Sequence, residues 1–196
     1  MMSLGEAAGA MGARLVCDAA ACEAHRFQGV STDTRSVGKG QLFVAIRGEF
    51  FDGHDFLAMA KERGAVAALV DEKFANGEPL PRAQFPLLVA DETRQALGRL
   101  GRNWRLRFAP VMIAITGSNG KTTNKEMLAS ILRRHAGEDG ALATRGNLNT
   151  DIGVPMTLLG MRASHRYCAV ELGMNHPGEI AMLARIAQPT DRKSVV

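Results

Sequence analysis

Ala114-Ile115-Thr116-Gly117-Ser118-Asn119-Gly120-Lys121-Thr122-Thr123 carries the most specific chemistry in the chain. An apolar run, Val111 to Ile115, enters this stretch, and a helical pattern starting near Lys121 leaves it. Strand, glycine loop and helix together form a cradle for a nucleoside triphosphate. Glycines let successive backbone N–H groups turn toward phosphate oxygens, and the helix N-terminus adds partial positive charge. Gly117, Ser118, Asn119, Gly120 and Thr123 would line the phosphates. Lys121 would neutralise the β- and γ-phosphates, and the Thr122 hydroxyl would bind Mg²⁺. The spacing is not that of the general P-loop, which has four residues between its glycines. Gly117 and Gly120 are separated by only two. A chance Gly-Lys-Thr in a glycine-rich turn is the alternative, and the flanking strand and helix favour a phosphate site.

A second group of candidates surrounds this loop. Tyr167 to Leu172 is expected to be a buried strand that includes Glu171. An acid near the C-terminal end of a strand in an open α/β sheet faces the crevice where ligands bind. With Thr122 it would hold Mg²⁺; the alternative is a strand-end salt bridge. Asn147 and Asn149, beside Gly146 and before an apolar segment, suggest a loop that touches a polar ligand, although Asn favours turns unaided. His176 either approaches the ligand or caps its own turn.

The first half of the chain holds two polar loops. Ser31-Thr32-Asp33-Thr34-Arg35-Ser36 follows Gly29 and concentrates hydrogen-bonding groups; composition alone favours a solvated turn. Phe51-Asp52-Gly53-His54-Asp55-Phe56 is the second, with His54 expected as a cap or turn histidine and Asp55 as the cap of a helix over Phe56 to Arg63.

The elements that position these loops alternate. A capping box of Ser3 and Glu6 starts a first helix that stops at Gly12. Strands are expected over Gln41–Ile46, Ala65–Val70 and Leu87–Val89, with a loop from Phe74 to Pro86. Asp91 to Phe108 is helical and carries Arg94, Arg99, Arg102, Arg105 and Arg107, expected on a solvated face, and Pro110 ends it. On the helix after the phosphate loop, Met127, Leu128, Ile131 and Leu132 are expected in the core. The fold class is therefore α/β, with one domain over residues 1–108 and a second over 109–196.

Composition sets outer bounds. The chain has 196 residues, is 46% hydrophobic and 22% charged, and carries a net charge of +4. That balance suits a soluble globular protein and acidic ligands. One Trp, one Tyr and no aromatic–basic interleaving argue against nucleic acid. No apolar run approaches the ~20 residues of a membrane span, and no secretory signal is visible, so the cytoplasm is expected. Cys17, Cys22 and Cys168 form an odd set and predict reduced thiols. A metal site at Cys17 and Cys22 would have only His25 as a further ligand, so small buried side chains are expected there instead.

Taken together these motifs resemble the Mur ligase family. The shortened Thr-Gly-Ser-Asn-Gly-Lys-Thr-Thr fits that family better than P-loop NTPases in general. Ser-Thr-Asp-Thr-Arg, Phe-Val-Ala-Ile-Arg-Gly and Asp-Gly-His-Asp-Phe are similar to its small N-terminal α/β UDP-sugar-binding domain. Gly-Asn-Leu-Asn-Thr-Asp-Ile-Gly-Val-Pro-Met-Thr-Leu-Leu and Glu-Leu-Gly-Met-Asn-His-Pro-Gly-Glu-Ile resemble the member that adds a dipeptide. The resemblance implies an ATP- and Mg²⁺-dependent, monomeric ligase that joins D-alanyl-D-alanine to UDP-N-acetylmuramoyl-tripeptide through an acyl phosphate. It implies Lys121 as the catalytic cation and Gly117 to Thr123 as the ATP site. Ser31, Asp33, Thr34, Arg35, Asp52, His54, Asn147 and Asn149 would bind substrate, and Thr122 and Glu171 the metal. The alternatives are a non-catalytic nucleotide- or UDP-sugar-binding fragment, or another Mur ligase that adds an amino acid. Thr150 stands where the family often has Asn. The resemblance runs from about Gly29 to Pro189, and residues 191–196 do not resemble the family's next strand. The ATP-binding domain is therefore expected to be incomplete and the chain inactive alone, with a second Mg²⁺ site and a carbamylated lysine beyond residue 196.

Overall fold

The computed structural model describes residues 1–17, 20–77 and 85–195. The chain divides into two compact units, Met1–Leu97 and Gly98–Val196. The sequence reading places the boundary later, after residue 108.

The first unit opens with α1 (Leu4–Met11), whose Ser3 and Glu6 complete the capping box and whose Gly12 closes it in the left-handed conformation. Its strands are β1 (Arg14–Val16), β2 (Gly29–Ser31), β3 (Gln41–Val44), β4 (Ala67–Asp71) and β5 (Leu87–Ala90). They lie in the order β1-β5-β4-β3-β2. β2, β3, β4 and β5 pair in parallel, and β1 runs antiparallel on the β5 edge. Every position of β4 and β5 is buried. That is the signature of parallel strands covered on both faces, and it explains why residues 67–70 and 87–90 are unbroken apolar runs. Phe43, Ala68, Val70, Leu87 and Val89 form the core with Val37, Ala60 and Phe85.

Three expectations in this unit are corrected. Asp55 does not cap α2 (Leu57–Glu62), which has no side-chain cap. Asp52 instead caps a 3-10 turn over Gly53–Phe56 that precedes α2. Residues expected to begin a loop at Phe74 belong to α3 (Glu72–Gly77). The Asp71 carboxylate starts that helix by accepting the Phe74 N–H at 2.8 Å; residues 78–84 of the expected loop lie outside the described residues. Cys17 and Cys22 are paired as a disulfide, not reduced thiols. The 3-10 turn Ala20–Ala24 returns the chain after β1 so that the two Cα atoms lie 6.6 Å apart, within bridging range.

The division between units falls inside α4 (Thr93–Arg105). In the second unit, β6 (Val111–Gly117), α5 (Lys121–Ala136), β7 (Ala141–Ala143), α6 (Gly153–Leu159), β8 (Tyr167–Glu171), α7 (Glu179–Ala187) and β9 (Asp191–Val195) follow in order. The four strands are all parallel, in the order β7-β8-β6-β9. Ile115, Ala129, Leu132, Ala141, Ala143 and Ala169 make the core between α5 and the sheet.

Here too the side chains correct the reading. Met127 and Ile131 are exposed; the buried positions of α5 are Lys125, Ala129 and Leu132. The helix is therefore rotated from its most apolar stripe, and a lysine occupies the inward position. Arg105 is not solvated. Its guanidinium is buried and donates to the carbonyls of Ala187, Gln188 and Phe108 at 2.9–3.1 Å. Residues 191–195 do form a strand, in register with Ile113 to Gly117 of β6. Pairing on an open edge is made by backbone groups, which an apolar-pattern search does not detect.

Candidate ligand-binding sites of the two units

In the second unit the sequence motif becomes a loop between β6 and α5. Gly120 is the N-cap of α5 at φ 72°, in the left-handed region that a glycine adopts without strain. It has no side chain to cap the helix, so the first-turn N–H groups of α5 remain available to an anion. Ser118, Asn119 and Gly120 are exposed, as are Thr122 and Thr123 at the start of the helix. Lys121 folds back over the loop, its Nζ donating to the Gly117 carbonyl at 2.6 Å and the Ser118 carbonyl at 3.3 Å. The ammonium thus sits against the loop that would cradle the phosphates.

Parallel register brings Glu171 to the same edge, because Ile115 and Glu171 are paired across β6 and β8. Glu171 is buried, at 1% exposure. The Thr122 hydroxyl donates to its carboxylate at 3.0 Å, and the Asn149 amide donates at 2.8 Å. Among the described residues no Lys, Arg or His forms an ion pair with Glu171, so the salt-bridge alternative is not what the structure contains. Gly173 makes room for Asn149, since a Cβ there would lie 2.8 Å from the Asn149 Cγ. Asn147 is exposed, and its carbonyl accepts the Asn149 N–H at 2.7 Å. His176 is exposed and pairs with Glu179 at 3.2 Å. Glu179 also accepts the N–H groups of Asn175 and His176, which lower its pKa. Glu179 thus ties this turn together and His176 is one of its partners; the N-cap of α7 is Gly178, with no side-chain cap.

In this unit two residues, Lys125 and Thr144, were missed by sequence reasoning. Lys125 is fully buried on α5, donating to the Thr144 carbonyl at 2.8 Å and pairing with Glu126. Thr144, just after β7, accepts the Glu171 N–H on its hydroxyl at 3.0 Å. The available signal is that Lys125 follows Thr122 by three positions and so shares its helix face.

In the first unit the loops after β2 and β3, and α3 directly after β4, all leave the C-terminal edge of a parallel sheet. Ser31 is buried and ties the first loop together. Its hydroxyl donates to the Asp33 carbonyl at 3.0 Å and accepts the Asp33 N–H at 3.2 Å. Asp33 accepts the Arg35 N–H at 2.8 Å and grips the Arg35 guanidinium at 2.7–3.0 Å. The hydrogen bonds from Arg35 hold the Asp33 carboxyl below its usual pKa. The Arg35 side chain is 87% exposed, so it remains open to an anion. Arg63 fixes the loop from below, donating to the Thr34 and Arg35 carbonyls at 2.9 and 3.1 Å.

Asp52 and His54 belong to a separate, inward network. The His54 ring is buried and stacks on Phe74 at 5.0 Å. Its Nε2 accepts the Asp71 N–H at 3.1 Å, so Nδ1 carries the proton and donates to Asp52 at 2.5 Å. Arg47 pairs with Asp52 and reaches Asp71 at 2.6 Å. Burial pushes the Asp71 carboxyl upward, but hydrogen bonds from Arg47 and the Phe74 N–H outweigh it, and its pKa is lowered. Asp52 likewise is raised by burial and lowered further by hydrogen bonds from His54. The structure thus joins Asp52 and His54 to Arg47 and Asp71, which sequence reasoning did not single out. Both ring nitrogens of His54 are spent on this framework.

Among the described residues no helix is long and apolar enough to cross a membrane, and no cluster of three or more His, Cys, Asp or Glu side chains is placed to hold a metal. Two oxygen donors, Thr122 and Glu171, nonetheless match the hard-ligand chemistry that Mg²⁺ prefers, and the buried carboxylate brings the compensating charge.

Family comparisons agree with this geometry. Residues 26–105 match the model described as the Mur ligase family, catalytic domain, and residues 115–191 match the Mur ligase middle domain. The UDP-N-acetylmuramoyl-tripeptide–D-alanyl-D-alanine ligase of Haemophilus influenzae is 44% identical over 161 residues, covering 82% of this chain and 34% of the relative. The solved ligase of Acinetobacter baumannii, UDP-N-acetylmuramoylalanyl-D-glutamyl-2,6-diaminopimelate–D-alanyl-D-alanyl ligase, superposes with TM-score 0.82 at 38% identity. That match covers 98% of this chain and 41% of that one. A MurF ligase from Thermotoga maritima, solved in complex with ADP, superposes with TM-score 0.69 at 30% identity, over 84% of this chain and 36% of that one. The chain spans about a third of the length of the curated relatives it matches. Its two matched segments, parallel α/β units and shortened phosphate loop agree: the chain belongs to the Mur ligase family.

Proposed function

We propose that the chain is the substrate- and ATP-binding part of a cytoplasmic ligase that joins D-alanyl-D-alanine to UDP-N-acetylmuramoyl-tripeptide, supplying peptidoglycan precursors. The observation that carries the reading is the meeting of Lys121, the uncapped α5 N-terminus, Thr122 and Glu171 at one sheet edge. The names of the similar ligases support the choice of substrates, and the ADP complex of a relative supports ATP.

In this reading the Gly117–Thr123 loop binds the ATP phosphates through backbone N–H groups. The tripeptide carboxylate attacks the γ-phosphorus and ADP leaves, giving an acyl phosphate. The amine of D-alanyl-D-alanine then attacks the acyl carbon and displaces inorganic phosphate. Lys121 lies where negative charge spreads over the transferring group and stabilises it. Thr122 and Glu171 would hold Mg²⁺, which supplies further charge neutralisation when bound. Asn149 orients Glu171, and Asn147 faces substrate from the same loop. Ser31, Asp33, Thr34 and Arg35 bind the uridine end, Arg35 by charge and the loop by its polar groups. Asp52 and His54, tied to Arg47 and Asp71, hold the Gly53–Phe56 turn that would meet the substrate at the same sheet edge.

The test is amide chemical-shift mapping on the chain. UDP-N-acetylmuramoyl-tripeptide should shift residues 31–35 and 52–54, and Mg²⁺–ATP should shift residues 117–123. ATP-induced shifts confined to other surfaces would overturn the nucleotide assignment. Equal or tighter binding of the UDP-N-acetylmuramoyl-dipeptide would favour a ligase that adds the third residue.

A further inference from the structure

Lys125 is the one fully buried lysine among the described residues, and the reaction just outlined does not use it. Taking a lysine out of water is costly unless its ammonium is paired and hydrogen-bonded. The partner carboxylate of Glu126 is 57% exposed and does not require a buried cation. The more telling partner is the Thr144 carbonyl, 2.8 Å away. Thr144 also accepts the Glu171 N–H on its hydroxyl at 3.0 Å, and the Glu171 carboxylate in turn accepts the Thr122 hydroxyl at 3.0 Å. Thr122 and Lys125 lie three residues apart on the same helix. The four residues therefore close a ring that runs from α5 to the end of β7, across to β8 and back to α5.

We propose that Lys125 is a positioning residue that sets the separation of Thr122 and Glu171 and so tunes the affinity of the site for a divalent cation. The proposal rests on the assignment of Thr122 and Glu171 to Mg²⁺. A helix can slide or tilt against a sheet when only apolar side chains, such as Ala129 and Leu132, hold it. A buried donor aimed at one carbonyl removes that freedom, because displacement would leave both the ammonium and the carbonyl unpaired. Glu171 is held at both ends, by Thr144 at its backbone and by Thr122 and Asn149 at its carboxylate. Loosening Thr144 therefore releases the backbone anchor of the carboxylate.

The experiment measures ADP binding to the whole chain by calorimetry as Mg²⁺ is varied, with thermal melting alongside. Lys125→Met keeps the stem and removes the donor. Thr144→Val keeps the shape and removes the hydroxyl, breaking the ring elsewhere without touching a charge. Both should raise the Mg²⁺ concentration at half-saturation by about 10- to 100-fold, the usual cost of losing a partner that orients a metal ligand. ADP affinity without Mg²⁺ should stay unchanged. Glu126→Gln, outside the ring, should leave the Mg²⁺ dependence within about twofold of the unmodified chain. If Lys125→Met does not fold, Lys125→Gln, whose shorter side chain does not reach the Thr144 carbonyl, is read in the same way. An unshifted Mg²⁺ dependence in the folded variants would overturn the proposal. An unmodified chain whose ADP binding ignores Mg²⁺ would overturn the cation assignment itself, and the positioning role with it.

Discussion

The Thr122 hydroxyl lies 3.0 Å from the Glu171 carboxylate although 49 positions separate them in the chain. One residue comes from the first turn of a helix and the other from the end of a strand, and only the pairing of β6 with β8 brings them together. Each alone has an ordinary structural explanation. Their contact, at the mouth of an uncapped helix, makes the oxygen-donor pair that a phosphate-bound Mg²⁺ calls for.

Glu171→Gln should therefore remove most of the Mg²⁺ enhancement of nucleotide binding, by about 10-fold or more, while preserving the hydrogen bond to Asn149 in outline. Thr122→Val should act in the same direction. Calorimetric titration of ADP with and without Mg²⁺ checks both; full enhancement in the glutamine variant would exclude Glu171 as the metal ligand.

Lys121→Ala should weaken ATP binding about 10-fold or more and leave stability within about 1 kcal/mol, as expected of a residue whose partners are carbonyls of a partly exposed loop. Comparing ATP with adenosine isolates the phosphate contribution. A variant that loses adenosine binding as well, or that unfolds, would point to a packing role instead.

His54→Ala should destabilise the first unit by about 2–4 kcal/mol. The change removes the stack on Phe74, leaves the Asp71 N–H without its acceptor and strips Asp52 of a donor. Urea unfolding provides the measurement. A change under about 0.5 kcal/mol, with uridine nucleotide binding lost, would mean that the imidazole meets the ligand directly.

Acid should weaken the same network. Asp52 and Asp71 both have folded-state pKa values below their ordinary ones, so the folded state binds fewer protons than the unfolded chain. Their contribution is present above the unfolded carboxylate value of about 3.9 and is lost as pH falls through the folded values. The urea midpoint of the first unit should fall as pH drops below about 4. Arg47→Met, which removes the hydrogen bonds that do most to lower the Asp71 pKa, should flatten that drop. An equally steep drop in the variant would assign the acid sensitivity elsewhere.

The strands and the phosphate loop were legible because they carry local signals. Residues 67–70 of β4 and all of β5 are continuous apolar runs, and Gly120 before Lys121 marks a loop-to-helix junction. Local signals failed where a backbone edge or a buried polar group decided the outcome. β9 pairs with β6 through its backbone, so its sequence gave no apolar pattern to detect. Met127 and Ile131 looked like core, but Lys125 takes the inward position because Thr144, nineteen residues on, supplies a carbonyl there. The same holds for the loop histidine. His54 is recognisable as a turn residue, whereas its tie to Asp71 depends on β3 and β4 lying side by side.

The strand order of the second unit also has a cost in time. β6 is the first strand made, yet its neighbours β8 and β9 are the last two. Ile115 waits for Glu171, its partner across the sheet, until the intervening chain has been synthesised. At roughly 5–20 residues per second that interval is about 3–11 s. For the part of it that follows emergence from the ribosome, an apolar strand with two open edges lacks its native pairing and is exposed to any other strand that can add to it. α5, the next element after β6, packs on the sheet through Ala129 and Leu132 and is the first segment able to cover one face of that strand before the crossover is complete.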